Sequence, residues 1–143
     1  MKRAQSEVLY LVITIGIAFI LAAGVFVFSK TFRADLNEQL AAAGLERTSA
    51  QLESGFLTLK GLMDNTGTIN ASLKLPLPNM IGEQRYAIEG SGTSTMELRT
   101  IGDPSISKFL TIKFWNVNIY GNADSSQGFV RLELQNSTSV LLK

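Results

Sequence analysis

The chain has 143 residues, with 13 Lys and Arg against 12 Asp and Glu and a net charge of +1. It contains neither Cys nor His, which excludes disulfides, thiolate zinc sites, a Cys nucleophile and any His-based triad. A near-neutral chain also lacks the basic footprint of a nucleic-acid binder, and the length suits one modest domain.

Val8 to Phe28 carries no charge. These 21 positions would make a helix of roughly 31 Å, about the thickness of a bilayer core. Fourteen of them are Val, Leu, Ile or Phe. At about −0.3 to −0.6 kcal/mol each they favour insertion by roughly 6 kcal/mol, less what Tyr10, Thr14, Gly16 and Gly24 subtract. The run outlasts the apolar core of a secretory signal, and Val25 to Phe28 stay apolar beyond the small residues Ala22-Ala23-Gly24. Lys2, Arg3 and the α-amine on one side, against Lys30 and Arg33 on the other, give a slight preference for an inside N-terminus.

Before the run stand Met1-Lys2-Arg3-Ala4-Gln5-Ser6-Glu7: a basic pair, a small residue, then a polar patch with a glutamate. With the helix that follows, this resembles the class III (prepilin-type) signal of archaeal type IV pilin-like proteins, over about the first 30 residues. The resemblance implies that a prepilin peptidase cuts between Ala4 and Gln5 on the cytoplasmic side. Residues 1–4 would be the leader, and the apolar helix would stay in the mature chain. Gln5, where bacterial type IV pilins usually carry Phe or Met, points to the archaeal branch. The family also implies a pilus assembly machinery, and a filament of copies with Glu7 paired to the new α-amine at Gln5 of a neighbour to set register. From its own chemistry Glu7 is equally a solvated acid at the headgroup level; buried in a bundle it would need a positive partner. An ordinary signal anchor is the other reading of the same residues.

Lys30 to Met63 is rich in Ala, Leu, Glu, Gln and Arg, good helix formers, and the first Pro is Pro76. Phe32, Leu36, Leu40 and Ala43 form one apolar stripe. Leu45, Leu52, Phe56, Leu59 and Met63 form a second, short of a sustained coiled-coil seam, so it should pack on the chain's own head. Gly44 or Gly55 would be places to bend. Asp64-Asn65-Thr66-Gly67 supplies the stop. The expected helix covers residues 5–64.

From residue 65 to 143 the composition turns to Thr, Ser, Gly and Asn with a period of two. Ile69 to Leu75, Arg85 to Glu89, Thr95 to Ile101, Leu110 to Phe114 and Val130 to Leu134 read as strands, with Val140 and Leu142 on a return strand. Phe114 is expected inside and Trp115 is left open. Turns are read at Glu89–Gly92, Gly102–Pro104, Gly121–Asp124 and Gln135–Ser139. The expected fold class is α+β, a long N-terminal hydrophobic helix followed by a small antiparallel β-sheet or sandwich-like head of about six strands, with its face closed on the second helix stripe.

Chemistry-bearing clusters are sparse. Asp103, Asp124, Glu83, Glu89 and Glu97 lack metal-loop spacing and read as solvated loop acids in preference to a calcium site near Asp124 and Ser125. Gly90-Ser91-Gly92 reads as a turn. No His activates a serine, so no enzyme activity, metal or cofactor is expected. Two sequons, Asn70-Ala71-Ser72 and Asn136-Ser137-Thr138, are N-glycosylation acceptor candidates if the head lies outside the cell, with Asn136 the more accessible.

These readings converge on a structural protein: a subunit of an archaeal type IV pilus-like surface filament. The precursor would sit in the membrane with its N-terminus in the cytoplasm and its head outside. Its partners would be copies of itself, joined through Leu9, Val12, Ile13, Ile17, Ile20 and Phe28; no nucleic acid is expected. The alternative is a single-span anchored extracellular binding module, or a minor pilin-like or stator-like component.

Overall fold

The computed structural model describes residues 2–67, 69–103 and 105–143, with side chains from residue 7 onward. Pro104, read as part of a turn, lies outside that set. One helix, α1 (Lys2–Thr66), is followed by strands β1 (Ala71–Pro76), β2 (Tyr86–Gly90), β3 (Thr95–Thr100), β4 (Ser107–Thr111), β5 (Asn118–Asp124), β6 (Phe129–Asn136) and β7 (Ser139–Leu142). The chain forms two compact units, Met1–Leu36 and Asn37–Lys143.

The second unit, the head, contains the last part of α1 and the whole sheet. α1 runs two residues past the expected end at residue 64, to Thr66. It stops there because Gly67 takes a left-handed conformation (φ 64°) and donates its N–H to the Met63 carbonyl at 2.9 Å, a glycine C-cap. The sheet has seven strands in the order β1-β6-β7-β5-β2-β3-β4. Every pairing is antiparallel except β5 with β7, which run parallel with Ile119 opposite Val140. The layout is the expected α+β one, but it has seven strands rather than six and one parallel pair.

The added strand is β5. Gly121, Asn122 and Asp124 look like a turn, yet they lie between β2 and β7. At Gly121 the backbone has φ 88°, and a side chain there would run into the Leu142 carbonyl. Glycine here serves a close approach of two strands, not a reversal. A second departure follows β4. The buried positions Leu110 and Ile112 give way to Trp115, Val117 and Ile119, so the alternation shifts phase by one residue. Phe114 is therefore only half-buried, while Trp115 is buried and donates Nε1–H to the Ser137 carbonyl at 3.2 Å.

One sheet face closes on α1. Ala41, Leu45, Leu52, Phe56 and Leu59 join Tyr86, Ile88, Met96, Leu98, Val130, Leu132, Val140 and Leu142 in a single core. Thr48, Ser49 and Gly55 are buried along the same helix side, giving recurrences of three and four residues, as a helix face requires. Gly44 and Gly55 serve as contact points. A methyl group on Gly44 would collide with Ile81 Cγ2 and stand 3.1 Å from its Cβ; one on Gly55 would meet Leu75 Cδ1. Gly44→Ala is accordingly expected to destabilise the head by about 1–3 kcal/mol through overpacking. Gly61→Ala, with nothing within 4 Å, should stabilise it by up to about 1 kcal/mol through helix propensity. Urea midpoints moving in opposite directions would confirm the close approach at Gly44, whereas two upward shifts would contradict it.

Tyr86 is fully buried. Its hydroxyl donates to the Pro78 carbonyl at 2.8 Å, and its backbone N–H donates to Ser125 Oγ at 3.1 Å. Burial pushes its phenol up to about 12, against an opposing contribution from the Thr48 hydroxyl. A phenol kept neutral in the fold adds stability that is complete below its ordinary value near 10 and lost as pH climbs through about 12. Alkaline unfolding should steepen across that window. Tyr86→Phe should flatten it while costing about 1 kcal/mol for the hydrogen bond at neutral pH.

Candidate functional site

In the first unit, the described side chains from Glu7 to Leu36 are all exposed. The six positions expected to join subunits are 52–71 % exposed. Their neighbours are no different: Val8, Leu11, Ile15, Phe19, Leu21, Val25 and Phe26 are 58–77 % exposed. The apolar surface therefore goes round the helix, and exposure singles out no seam within it. A helix apolar on every side is one that lipid or other helices must cover. The helix is long and apolar enough to cross a membrane.

Its few polar groups are handled locally. Thr14 donates its hydroxyl to the Tyr10 carbonyl at 2.8 Å, and Thr31 donates to the Val27 carbonyl at 3.1 Å. Each hydroxyl is thus satisfied inside the helix, which at Thr14, within the uncharged run, is what hydrocarbon surroundings would require. Tyr10 stands near one end of the run, where an amphipathic ring suits a headgroup boundary. Near the other end, Phe28 and Phe32 stack with centroids 6.1 Å apart. The Lys30 amine lies 4.8 Å from the centre of the Phe26 ring one turn earlier, a cation–π contact at the edge of the uncharged run. Glu7 is exposed. The expected processing residues Lys2, Arg3, Ala4 and Gln5 have side chains outside the described residues.

The first stripe (Phe32, Leu36, Leu40 and Ala43) is exposed, at 54, 40 and 57 % for its three large members. Leu36 and Ala43 of this stripe continue at seven-residue spacing to Ala50 and Leu57, which are also exposed.

Glu89 and Glu97, expected in loops, stand on β2 and β3, and other acids of the head have local structural work. Asp124 caps a short 3₁₀ turn at Ser125–Gln127, accepting from the Ser126 N–H at 2.7 Å, and the Ser125 hydroxyl is taken by Tyr86. The Asp103 carboxyl is held below its ordinary value by the Ser105 hydroxyl first and the Ser105 N–H second. Glu133 is likewise lowered, chiefly by its hydrogen bond from Lys143 at 2.7 Å. These are surface contacts of small energetic worth. Among the described residues no three His, Cys, Asp or Glu side chains gather as a metal site would require. Asn70 and Asn136 are both exposed.

No protein-family model, curated protein or solved structure matches the chain. The molecule is defined by its physical layout: an apolar helix able to cross a membrane, and a helix-backed β head with its own core.

Proposed function

We propose that the chain is a structural subunit of an archaeal type IV pilus-like surface filament, stored in the membrane by α1 and assembled through it. The observation that carries this reading is the uncharged stretch from Val8 to Phe28, exposed around its whole circumference. In the bilayer, lipid covers that surface; in a filament, the same residues of neighbouring copies cover it. Lipid tails are as apolar as the side chains, so the exchange is driven by close packing between helices more than by dehydration. That makes polar pairing at the margin of the bundle important. Glu7, leaving the headgroup level, becomes costly unless a positive group meets it, and an α-amine freed at Gln5 of a neighbour has the right charge. The head keeps its own core and rides on the outside.

Two substitutions test the proposal, each on a different step. Glu7→Leu should leave the precursor in the membrane and the head folded, yet abolish filaments recovered by shearing. Ala4→Phe should block processing with the same loss. Normal filaments from both variants would refute the proposed assembly route.

A further inference from the structure

We propose that Asn136, and not Asn70, carries an N-linked glycan. The proposal rests on the reading that the head faces outward. Both residues open an Asn-x-Ser/Thr triplet, and sequence alone ranks them only by guessed accessibility. The fold separates them by what each amide nitrogen is doing.

Asn136 ends β6, and Ser137-Thr138 form the two-residue turn into β7, with Asn136 opposite Ser139. Gln135 to Thr138 are exposed. The turn is held from beneath through its backbone. The Ser137 carbonyl accepts from Trp115 Nε1–H at 3.2 Å, and the Thr138 carbonyl accepts from the Asn118 N–H at 2.8 Å. Its position is therefore fixed without using the Asn136 amide nitrogen. Asn136 Oδ1 accepts from the Thr138 N–H at 2.9 Å and from the Thr138 hydroxyl at 3.1 Å. The hydroxyl that defines the triplet already meets the carboxamide it serves, and Asn136 Nδ2 makes no hydrogen bond among the described residues.

Asn70 is arranged the other way. With its carboxamide oriented to satisfy both ends, its nitrogen donates to the Gln135 carbonyl at 3.2 Å and the Ile69 carbonyl at 3.1 Å. Ala71 and Ser72 are already paired in β1, opposite Leu134 and Glu133 of β6. Offering that nitrogen to another molecule means breaking its bond to the β6 chain at the start of an edge strand. In the folded head, Asn136 is the acceptor that costs nothing to present.

The reaction needs a sugar activated as a lipid-linked glycosyl phosphate, and a transferase. Asn136 Nδ2 forms a bond to the anomeric carbon, the bond from that carbon to the phosphate oxygen breaks, and the lipid phosphate leaves with the bonding pair. Nδ2 gives up one proton to a base of the transferase. No oxidant or reductant is involved.

The test is peptide mass mapping of the full chain recovered from the cells that make it, with intact cells first treated with a membrane-impermeant amine reagent to label exposed head lysines such as Lys113. The expected result is a sugar mass increment on the peptide containing residue 136, none on the peptide containing residue 70, and reagent on Lys113. The increment should vanish in Asn136→Gln and Thr138→Val. It should persist in Thr138→Ser and Asn70→Gln, which controls for loss by misfolding. A bare Asn136 on a labelled head overturns the proposal while the outward-facing reading stands. A bare Asn136 on an unlabelled head overturns both. A glycan on Asn70 with Asn136 bare overturns the structural argument.

Discussion

Phe56→Ala is expected to cost the head about 3–5 kcal/mol, the range for emptying a buried aromatic site. Phe56 is fully buried on the α1 side of the core, among Leu45, Leu52 and Leu59 from the same helix and the inward residues of the sheet. No second layer is available to close over the gap from the helix side, because Glu53, Ser54 and Leu57 are exposed. Against the usual 5–15 kcal/mol of a folded domain, such a loss removes a fifth or more of the total. Urea unfolding of the detergent-solubilised full chain, followed by Trp115 fluorescence, measures it directly. A shift below about 1 kcal/mol would mean that the sheet does not depend on α1 for its core.

The second large effect is expected in the other unit. Ile17→Lys places an ammonium near the middle of the uncharged run. On the insertion scale that costs about 2.5–3.5 kcal/mol and also removes the favourable contribution of the isoleucine. Roughly 6 kcal/mol, less what Tyr10, Thr14, Gly16 and Gly24 subtract, favours insertion of the native run, so the variant loses most of it. A markedly larger share of the protein should then appear outside the membrane fraction than for the native chain. Leu62→Lys is the control: Leu62 is 43 % exposed but lies in the head, and the change there should leave partitioning untouched. Equal membrane retention for Ile17→Lys and the native chain would argue that Val8 to Phe28 is not what holds the protein in the bilayer.

Much of this architecture is legible in the residues, for identifiable reasons. The apolar run and the Leu45-to-Met63 stripe are long and strongly periodic, and periodicity survives tertiary context. Strands β2, β3, β6 and β7 show clean alternation between core residues such as Tyr86, Ile88, Met96 and Leu98 and outward charges such as Glu89 and Arg99. What escapes is set by partners distant in the chain. Gly121 looks like a turn unless one knows that the Leu142 carbonyl will press against it. The parallel pairing of β5 with β7 leaves no local mark. Gly44 and Gly55 look like weak points in a helix because their use, admitting Ile81 and Leu75, lies some 37 and 20 residues further along the chain. Trp115 could not be placed because the alternation changes phase between Ile112 and Trp115 with no turn signal such as Gly or Pro to announce it. At the functional helix the limit is different. Composition says that the surface must be covered, but a surface apolar all round does not encode which side meets which neighbour.

Processing of this helix and its transfer from membrane to filament can be read from the mass of the N-terminal peptide of protein sheared from native cell surfaces. The expected chain begins at Gln5 and is recovered in the sheared fraction. A chain that begins at Met1 and stays with the membranes would contradict it and leave a single-span anchored surface protein in its place.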